Sequence, residues 1–317
     1  SFTATWTVDT QQYGTTTITI SGATTSGVSV ATNRFVILPE LYSVLPTSGT
    51  VGTIVTISGT GYEANDSIIV AFGNNSNIQQ TTADMCGWFT AIWTVDTQVY
   101  GTTTITANGT TTSGVSVVAG NVFNILPEVV SVQPTSGTVG TIVTVAGTGY
   151  AANNALTVAF GINEGIQTAA ANQYGSFSTS FTVDVQVYGT TTITVSGASA
   201  ATNVFFILPE VVSVIPTTGT VGTIVTVAGT GYAADDAVTI GFGTNASIQT
   251  AIASQYGSFT ATWTVDTQAY GTTTIKAVGA VAAAYNRYFI LPEVVSVLPT
   301  SGTVGTIVTV AGTGYAA

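Results

Sequence analysis

The sequence Pro-Thr-Ser-Gly-Thr-Val-Gly-Thr-Ile-Val-Thr-Ile-Ser-Gly-Thr-Gly-Tyr occupies residues 46–62 and returns almost unchanged at residues 134–150, 216–232 and 299–315. Proline and glycine at its start are typical of a turn, and the β-branched run from Thr53 to Ile57 predicts a strand. The closing Gly-Thr-Gly predicts a second turn. Four copies of one turn–strand–turn unit make the chain a tandem array.

A second repeated feature follows the first three copies: an apolar run that ends in Phe-Gly, at Phe72, Phe160 and Phe242. Together, the two features resemble the TIG/IPT family of immunoglobulin-like domains. The resemblance covers the front half of each module closely and the rest by strand pattern. It implies an all-β fold of tandem immunoglobulin-like sandwiches. The family's modules occur in plexins, in some transcription factors and in long prokaryotic surface proteins.

Module boundaries follow from a Pro-Glu pair that ends one module and runs directly into the next strand. Because proline fixes its own backbone and restricts the preceding residue, and no Gly/Ser linker intervenes, we expect tightly coupled modules in a stiff string. The predicted domains are residues 1–38 (the C-terminal half of a module), 39–126, 127–208 and 209–291 (complete modules), and 292–317 (the first two strands of a module).

Length differences between modules are confined to one connection. The distance from the junction proline to the tyrosine of a later Tyr-Gly pair is 61 residues in all three complete modules: Pro39 to Tyr100, Pro127 to Tyr188 and Pro209 to Tyr270. Residues 24–33 and 110–120 carry an extra stretch after this point. It could lengthen a hairpin or contact another module.

Composition and charge argue against two classes of protein, those that bind nucleic acid and those that span a membrane. Three basic residues stand against 14 acidic ones, which gives a net charge of −11 and leaves almost nothing to neutralise nucleic-acid phosphates. The same scarcity leaves few tryptic sites, which suits a protein outside the cell. Although 45% of residues are hydrophobic, they alternate with Thr and Ser and never approach a run of about 18. We therefore expect neither a nucleic-acid partner nor a membrane span.

The sequence contains few of the residue types on which enzymes rely for catalysis. The chain has no His, and its single Cys and single Lys leave no Ser-His-Asp triad, Cys-His pair or His-ligated zinc site. Carboxylates recur once per module, whereas a glycosidase needs two in one cleft. We expect no enzyme and no cofactor. Turn-forming aspartates are predicted at Asp9, Asp96, Asp184 and Asp266, and an alternative calcium site at the junctions has Glu40, Glu128, Glu210 and Glu293 as candidates.

The Tyr-Gly pairs resemble the tyrosine corner of immunoglobulin-like sandwiches, in which the ring packs and the hydroxyl bonds to backbone. This predicts a structural role for Tyr13, Tyr100, Tyr188 and Tyr270.

Two modification questions remain open in the sequence. Sequons that permit N-glycosylation start at Asn65, Asn74, Asn108 and Asn245, although a chain rich in Thr and Ser also produces them by chance. Cys86 takes the place of Tyr174 and Tyr256 in sister modules. We predict it to be a buried apolar substitute rather than an intermolecular link.

The two ends predict assembly. Phe2, Ala4, Trp6 and Val8 alternate with polar residues, as in a strand. Half a sandwich exposes apolar faces and strand edges, so we expect residues 1–38 of one copy to complete residues 292–317 of another, head to tail, in a fibre. The alternative is that these residues are a window of a longer continuous chain.

The sequence therefore predicts a structural subunit of an extracellular filament, fibre or sheath on the surface of a bacterium or archaeon, with copies of itself as partners. One alternative is the stalk of a long cell-surface adhesin. Another is a carbohydrate-binding accessory array, which would need exposed aromatic residues repeating on one surface.

Overall fold

The structure, a computed structural model, describes residues 1–24, 27–112 and 121–315, with only the main chain for residues 23, 24 and 27–29. Every regular element within these ranges is a β-strand, and the strands form repeated pairs of sheets. This confirms the predicted all-β fold of tandem immunoglobulin-like modules.

The strands fall into groups that repeat along the chain. The first segment contains β1 (Gly14–Thr24) and β2 (Gly27–Ile37). The next eight strands are β3 (Glu40–Leu45), β4 (Ser48–Gly49), β5 (Ile54–Thr60), β6 (Ser67–Phe72), β7 (Asn75–Thr82), β8 (Phe89–Thr94), β9 (Gly101–Gly109) and β10 (Val122–Ile125). The second group of eight is β11 (Glu128–Gln133), β12 (Ser136–Gly137), β13 (Ile142–Thr148), β14 (Ala155–Phe160), β15 (Asn163–Ala170), β16 (Phe177–Thr182), β17 (Gly189–Ser196) and β18 (Ala200–Ile207). The third is β19 (Glu210–Ile215), β20 (Thr218–Gly219), β21 (Ile224–Thr230), β22 (Ala237–Phe242), β23 (Asn245–Ile252), β24 (Phe259–Thr264), β25 (Gly271–Val278) and β26 (Ala283–Ile290). The chain closes with β27 (Glu293–Leu298) and β28 (Thr309–Thr313).

Each group of eight strands builds one sandwich from two sheets. In the first group, a three-stranded sheet has the order β3-β5-β8 and a five-stranded sheet has the order β4-β10-β9-β6-β7. Pairing is antiparallel except between the two-residue strand β4 and β10. The second and third groups repeat both orders strand for strand. The final pair β27–β28 repeats the antiparallel pair β3–β5.

Alternation along the strands places one face of each sheet in the core. In β14, Leu156, Val158 and Phe160 are buried and the residues between them are not. Val143 and Val145 of β13, in the other sheet, are fully buried in the same cluster. Each such side chain contributes about 1.5–3 kcal/mol by leaving water, so apolar burial is the main stabilising term of a module.

Residues 2–8 do not form the predicted strand. The equivalent strand in a complete module, β8, is held by β5, and the strand that corresponds to β5 lies in the front half of a module, which segment 1–38 does not contain. Phe2 and Trp6 are consequently 67% and 63% exposed, whereas Phe89 and Trp93 at the same places in β8 are 3% and 6% exposed.

The extra stretch near residue 30 lengthens a hairpin. Strands β1 and β2 are 11 residues long each and pair throughout, whereas their counterparts β17 and β18 have eight each. Most of the second extra stretch, residues 113–120, lies outside the described residues.

Candidate functional site

One main-chain hydrogen bond recurs at each junction between modules. The main-chain N–H of Tyr100, just before β9, donates a 3.0 Å hydrogen bond to the carbonyl oxygen of Tyr150, which follows β13 of the next module. Tyr188 and Tyr232 repeat the bond at 3.0 Å. At the two ends of the chain it joins Tyr13 to Tyr62 at 3.0 Å and Tyr270 to Tyr315 at 3.4 Å.

Glycine makes this close approach feasible. Gly149, beside Tyr150, has a φ of +75°, and a Cβ there would collide with the carbonyl oxygen of Leu126, the last residue before the junction proline. Gly61, Gly231 and Gly314 meet the same obstacle at their own junctions. The repeated Gly-Thr-Gly-Tyr segment is therefore a junction element as well as a turn.

The tyrosine of the Gly-Thr-Gly-Tyr segment is buried in each complete module. In the three complete modules, the Tyr62, Tyr150 and Tyr232 side chains are 0% exposed, and each packs edge-on against a phenylalanine at 5.1–5.2 Å. Their hydroxyls donate to backbone carbonyls, with distances of 2.9 Å to Ala107, 3.5 Å to Val195 and 3.2 Å to Ala277. Burial raises the pKa of Tyr150 to about 12 and that of Tyr232 to about 12. Burial, and secondarily the Asp66 charge, raise the pKa of Tyr62 further.

The hydrogen bond predicted for the hydroxyls of Tyr100, Tyr188 and Tyr270 thus belongs to a different residue. Within the described residues, the hydroxyls of Tyr100, Tyr188 and Tyr270 form no hydrogen bond. Tyr100 and Tyr270 are 37% and 52% exposed. The rings of Tyr188 and Tyr270 do pack, edge-on against Phe206 and Phe289. The position of these tyrosines brings the main-chain N–H, rather than the hydroxyl, within hydrogen-bonding distance of a partner. That partner is the next module.

The repeated aspartate before each junction tyrosine holds a turn through side chains. Asp184 accepts from Asn163 Nδ2 at 2.8 Å and from Gln186 Nε2 at 2.8 Å. Gln186 also reaches the Phe160 carbonyl oxygen at 3.2 Å. Asp96 and Asp266 make the same pair of bonds at 2.7–2.9 Å, and Asp9 bonds to Gln11 at 2.8 Å. The partners are side-chain amides, whereas an aspartate in a turn more commonly accepts from backbone N–H groups.

Asp66 is a further structural carboxylate, and it is nearly inaccessible, at 3% exposed. It accepts from the hydroxyls of Thr110 and Thr112 and from the main-chain N–H of Thr111 and Thr112, at 2.6–3.0 Å. Burial alone would raise the pKa of Asp66, but the hydrogen bonds outweigh it and hold that pKa well below its usual range. Asp66 therefore anchors the start of the extra stretch at residues 110–112.

The four glutamates proposed as calcium candidates each begin the first strand of a module. Glu40 and Glu293 are exposed, and Glu128 and Glu210 are half-buried. In the described part of the chain, no three His, Cys, Asp or Glu side chains come together where they could hold a metal ion.

The sequons differ in accessibility. Asn65, Asn74 and Asn108 are exposed. Asn245 is half-buried, and its Nδ2, the atom that would carry a glycan, donates to Asp266 at 2.9 Å. Asn75 and Asn163 occupy the same place in their modules without a sequon, so the Asn245 sequon coincides with a structural asparagine.

The prediction of a buried Cys86 is wrong, because its side chain is exposed. Tyr174 and Tyr256, which hold this place in sister modules, are 55% and 47% exposed as well. The position lies in a turn in which Asp84 accepts from the main-chain N–H of Cys86 and Trp88 at 2.8 and 2.9 Å.

No protein-family model and no curated protein matches this chain. Solved structures do. Invasin, a bacterial integrin-binding protein, matches at 16% identity over 84% of this chain and 63% of its own, with a TM-score of 0.27. The Yersinia pseudotuberculosis adhesin InvE matches at 14% identity over 62% of this chain and 64% of its own, with a TM-score of 0.26. The chain thus spans less than two thirds of either protein. Matches with such low TM-scores are not evidence of a shared function. Among the residues described, no helix has the length and hydropathy of a membrane span.

Proposed function

We propose that the chain is a structural subunit of an extracellular filament or sheath, with TIG/IPT-like modules as its repeating part. The observation that carries this is the junction bond: the same main-chain hydrogen bond joins Tyr100 to Tyr150 and Tyr188 to Tyr232. A contact that recurs in every copy and uses only backbone atoms is suited to holding modules in a fixed series, whatever their surface residues.

The chemistry of the repeated polar residues supports a structural role. Asp96, Asp184 and Asp266 are engaged with side-chain amides, and the buried tyrosine hydroxyls are engaged with carbonyls. None of these groups is free to act on a substrate. The scarcity of Lys and Arg and the exposed sequons at Asn65, Asn74 and Asn108 support a location outside the cell.

End-to-end joining of copies is the assembly step of this proposal. Strand β28 repeats β5, and residues 2–7 repeat the strand that pairs with it. Applying the register of β5 and β8 places Val308 opposite Trp6 of the next copy and Ile307 opposite Thr7. Val308 and Trp6 are 50% and 63% exposed, whereas their counterparts Val55 and Trp93 are 0% and 6% exposed. Joining would remove this apolar surface from water.

The adhesin-stalk alternative also has an observation in its favour. A joint made from residues 292–317 and 1–38 contains no counterpart of β6 and β7, although Ile68, Val70 and Phe72 of β6 are fully buried core residues. A continuous longer chain would supply both strands. For the carbohydrate-binding alternative, the aromatic pair of exposed Tyr42 and half-buried Trp88, 5.8 Å apart, does not repeat: Val130 and Ser176 hold these places in the next module.

Negative-stain electron microscopy at two protein concentrations tests the proposal. Filaments whose length grows with concentration would support a self-assembling subunit. Discrete rods of one length at both concentrations would refute it in favour of the stalk.

A cysteine pair sharpens this test. In a Cys86→Tyr background, which restores the residue of the sister modules, Thr7→Cys with Ile307→Cys should give a ladder of disulfide-linked multimers after mild oxidation by dissolved oxygen. Each single cysteine variant is the control and should stop at dimers. A double variant that also stops at dimers would overturn the proposed register.

A further inference from the structure

The few basic residues of this acidic chain all lie at exposed positions on the last two strands of a module. Arg34, Lys276 and Arg287 are its only basic residues, and all three are exposed. Within the described residues, none of them forms an ion pair, although the chain has 14 acidic residues. Their charges are therefore available to a partner.

Strand register puts Arg34 and Arg287 at the same place in different modules. Arg34 of β2 lies opposite Thr17, and Arg287 of β26 lies opposite Thr274. These strands alternate between inward and outward residues, and Arg287 is an outward one. Both arginines thus lie on the outer face of the sheet that contains the last strand of a module.

Lys276 joins this surface in the third complete module. It lies on β25 opposite Tyr285, two residues along from Thr274, and its Nζ is 5.8 Å from the centre of the Tyr285 ring. Tyr285 is itself 61% exposed. We call Thr274, Lys276, Tyr285 and Arg287 the basic face. An exposed aromatic ring beside a cation suits an interface, since Tyr and Arg are enriched at interface cores.

The chain also has carboxylates without partners. Asp66, Asp96, Asp184 and Asp266 are engaged by hydrogen bonds. In contrast, the side chains of the junction glutamates accept no hydrogen bond from any described residue, and one recurs in every module: Glu40, Glu128, Glu210 and Glu293.

We propose that the basic face docks onto junction glutamates of a second copy lying alongside the first. Charge complementarity selects this partner, because unengaged cations and a repeated row of unengaged carboxylates occur on one molecule. At about 0.15 M salt, the Debye length of about 8 Å screens repulsion between distant parts of two acidic copies but leaves contacting pairs attractive. Side-by-side docking does not depend on how copies join end to end, so it holds for a filament and for a stalk.

The second complete module has residues at the equivalent positions that can be used to design a test variant compatible with the fold. Thr194 and Val204 occupy the places of Lys276 and Arg287 in the second complete module. The variant K276T/R287V therefore removes the basic face with residues native to that position. The matched control I142E/I224E reaches the same net charge of −13 from −11. It changes residues that are 67% and 65% exposed at the start of β13 and β21, at the opposite end of these strands from the junction glutamates, and it keeps the basic face.

Sedimentation velocity with negative-stain microscopy of the full chain gives the readout at about 0.15 M and about 1 M salt, where the Debye length falls to about 3 Å. We expect side-by-side association of the unaltered chain at the lower salt, about tenfold weaker association for K276T/R287V, and little change for the control. The variant T194K/V204R, which adds a second basic face, should associate more strongly.

Three results would overturn the proposal. The unaltered chain could fail to associate laterally at the lower salt. The two −13 variants could weaken association equally, in which case net charge alone would be responsible. Finally, an acidic polysaccharide such as polygalacturonate could bind through Lys276 and Arg287 while self-association is absent, which would make the partner a glycan.

Discussion

The main-chain N–H of Tyr188 donates a 3.0 Å hydrogen bond to the carbonyl oxygen of Tyr232, a residue of the following module. Gly231 makes the approach feasible, because a Cβ at this position would collide with the Leu208 carbonyl oxygen. We therefore expect Gly231→Ala to break the bond and to expose the Tyr188 amide to solvent exchange. Hydrogen exchange of that single amide is the measurement.

The control for this change is Gly222→Ala. Gly222 also has a positive φ, +92°, but a Cβ there meets nothing within 4 Å. Backbone strain of about 1–2 kcal/mol is then common to both variants, and the collision is specific to Gly231→Ala. Equal exchange of the Tyr188 amide in the two variants would contradict the role assigned to Gly231.

Tyr62→Phe should cost about 0.5–1.5 kcal/mol of local stability, since it removes the buried hydrogen bond from the Tyr62 hydroxyl to the Ala107 carbonyl oxygen. Tyr100→Phe should cost close to nothing, because the Tyr100 hydroxyl has no partner in the described structure. Native-state hydrogen exchange of β9 measures both. A larger loss for Tyr100→Phe would restore the corner assignment to that residue.

Alkaline pH should destabilise the modules. The pKa values of Tyr150 and Tyr232 are about 12 in the folded chain, against about 10 for an unfolded tyrosine. A raised folded pKa gives stability that is complete below pH 10 and is lost as pH rises from about 10 towards 12. Absorbance at 295 nm should show the last tyrosines ionising only together with loss of β-sheet circular dichroism. Ionisation of all 13 tyrosines with the sheet intact would contradict the burial.

Asp66 should make the loop at residues 110–112 sensitive to acid. Its pKa is depressed in the folded chain, so the stability it contributes is present above about pH 4 and is lost as pH falls below that value. Protection of the Thr111 and Thr112 amides, relative to the intrinsic exchange rate at each pH, should therefore fall in acid. In Asp66→Asn, the same amides should already be less protected at neutral pH, and acid should change their protection little. Unchanged protection in this variant would refute the anchor.

Asp184→Asn should destabilise its module by about 1–3 kcal/mol, because Asn163 and Gln186 then compete for a single acceptor oxygen. Exchanging the two groups, Asp184→Asn with Asn163→Asp, restores an acceptor for each donor. The double variant should recover most of the loss in a double-mutant cycle. Additive losses would show that the two side chains act independently.

The spacing of repeated residues was enough to predict the all-β modular fold, because Pro, Gly and β-branched residues have local backbone preferences that show directly in sequence. The buried tyrosine was harder to find. Tyr62 and Tyr100 both stand next to glycine, and only tertiary structure distinguishes them: Tyr62 is buried with its hydroxyl bonded to the Ala107 carbonyl oxygen, whereas Tyr100 is 37% exposed. The junction bond left no sequence signal, since it uses main-chain atoms that every residue has.

Other misassignments have the same physical origin. A cysteine in the place of tyrosine predicts a core residue, but the turn held by Asp84, Asn172 or Ser254 in the three complete modules exposes this position. Residues 2–8 have the alternation of a strand, yet alternation shows only that a segment could pair. The Asn245 sequon is recognised from three consecutive residues, whereas the accessibility of the Asn245 side chain depends on Asp266, 21 residues away.

Two attachments cross each complete junction: the covalent chain at Leu126–Pro127 or Leu208–Pro209, and the hydrogen bond between tyrosines on either side. A module that unfolds therefore withdraws a backbone partner from each neighbour, and melting becomes a nearest-neighbour process, as in a one-dimensional lattice. Interior modules have two neighbours and terminal ones have a single neighbour. Loss of structure should then begin at the ends and travel inward, so that a longer array protects its middle better than a short one.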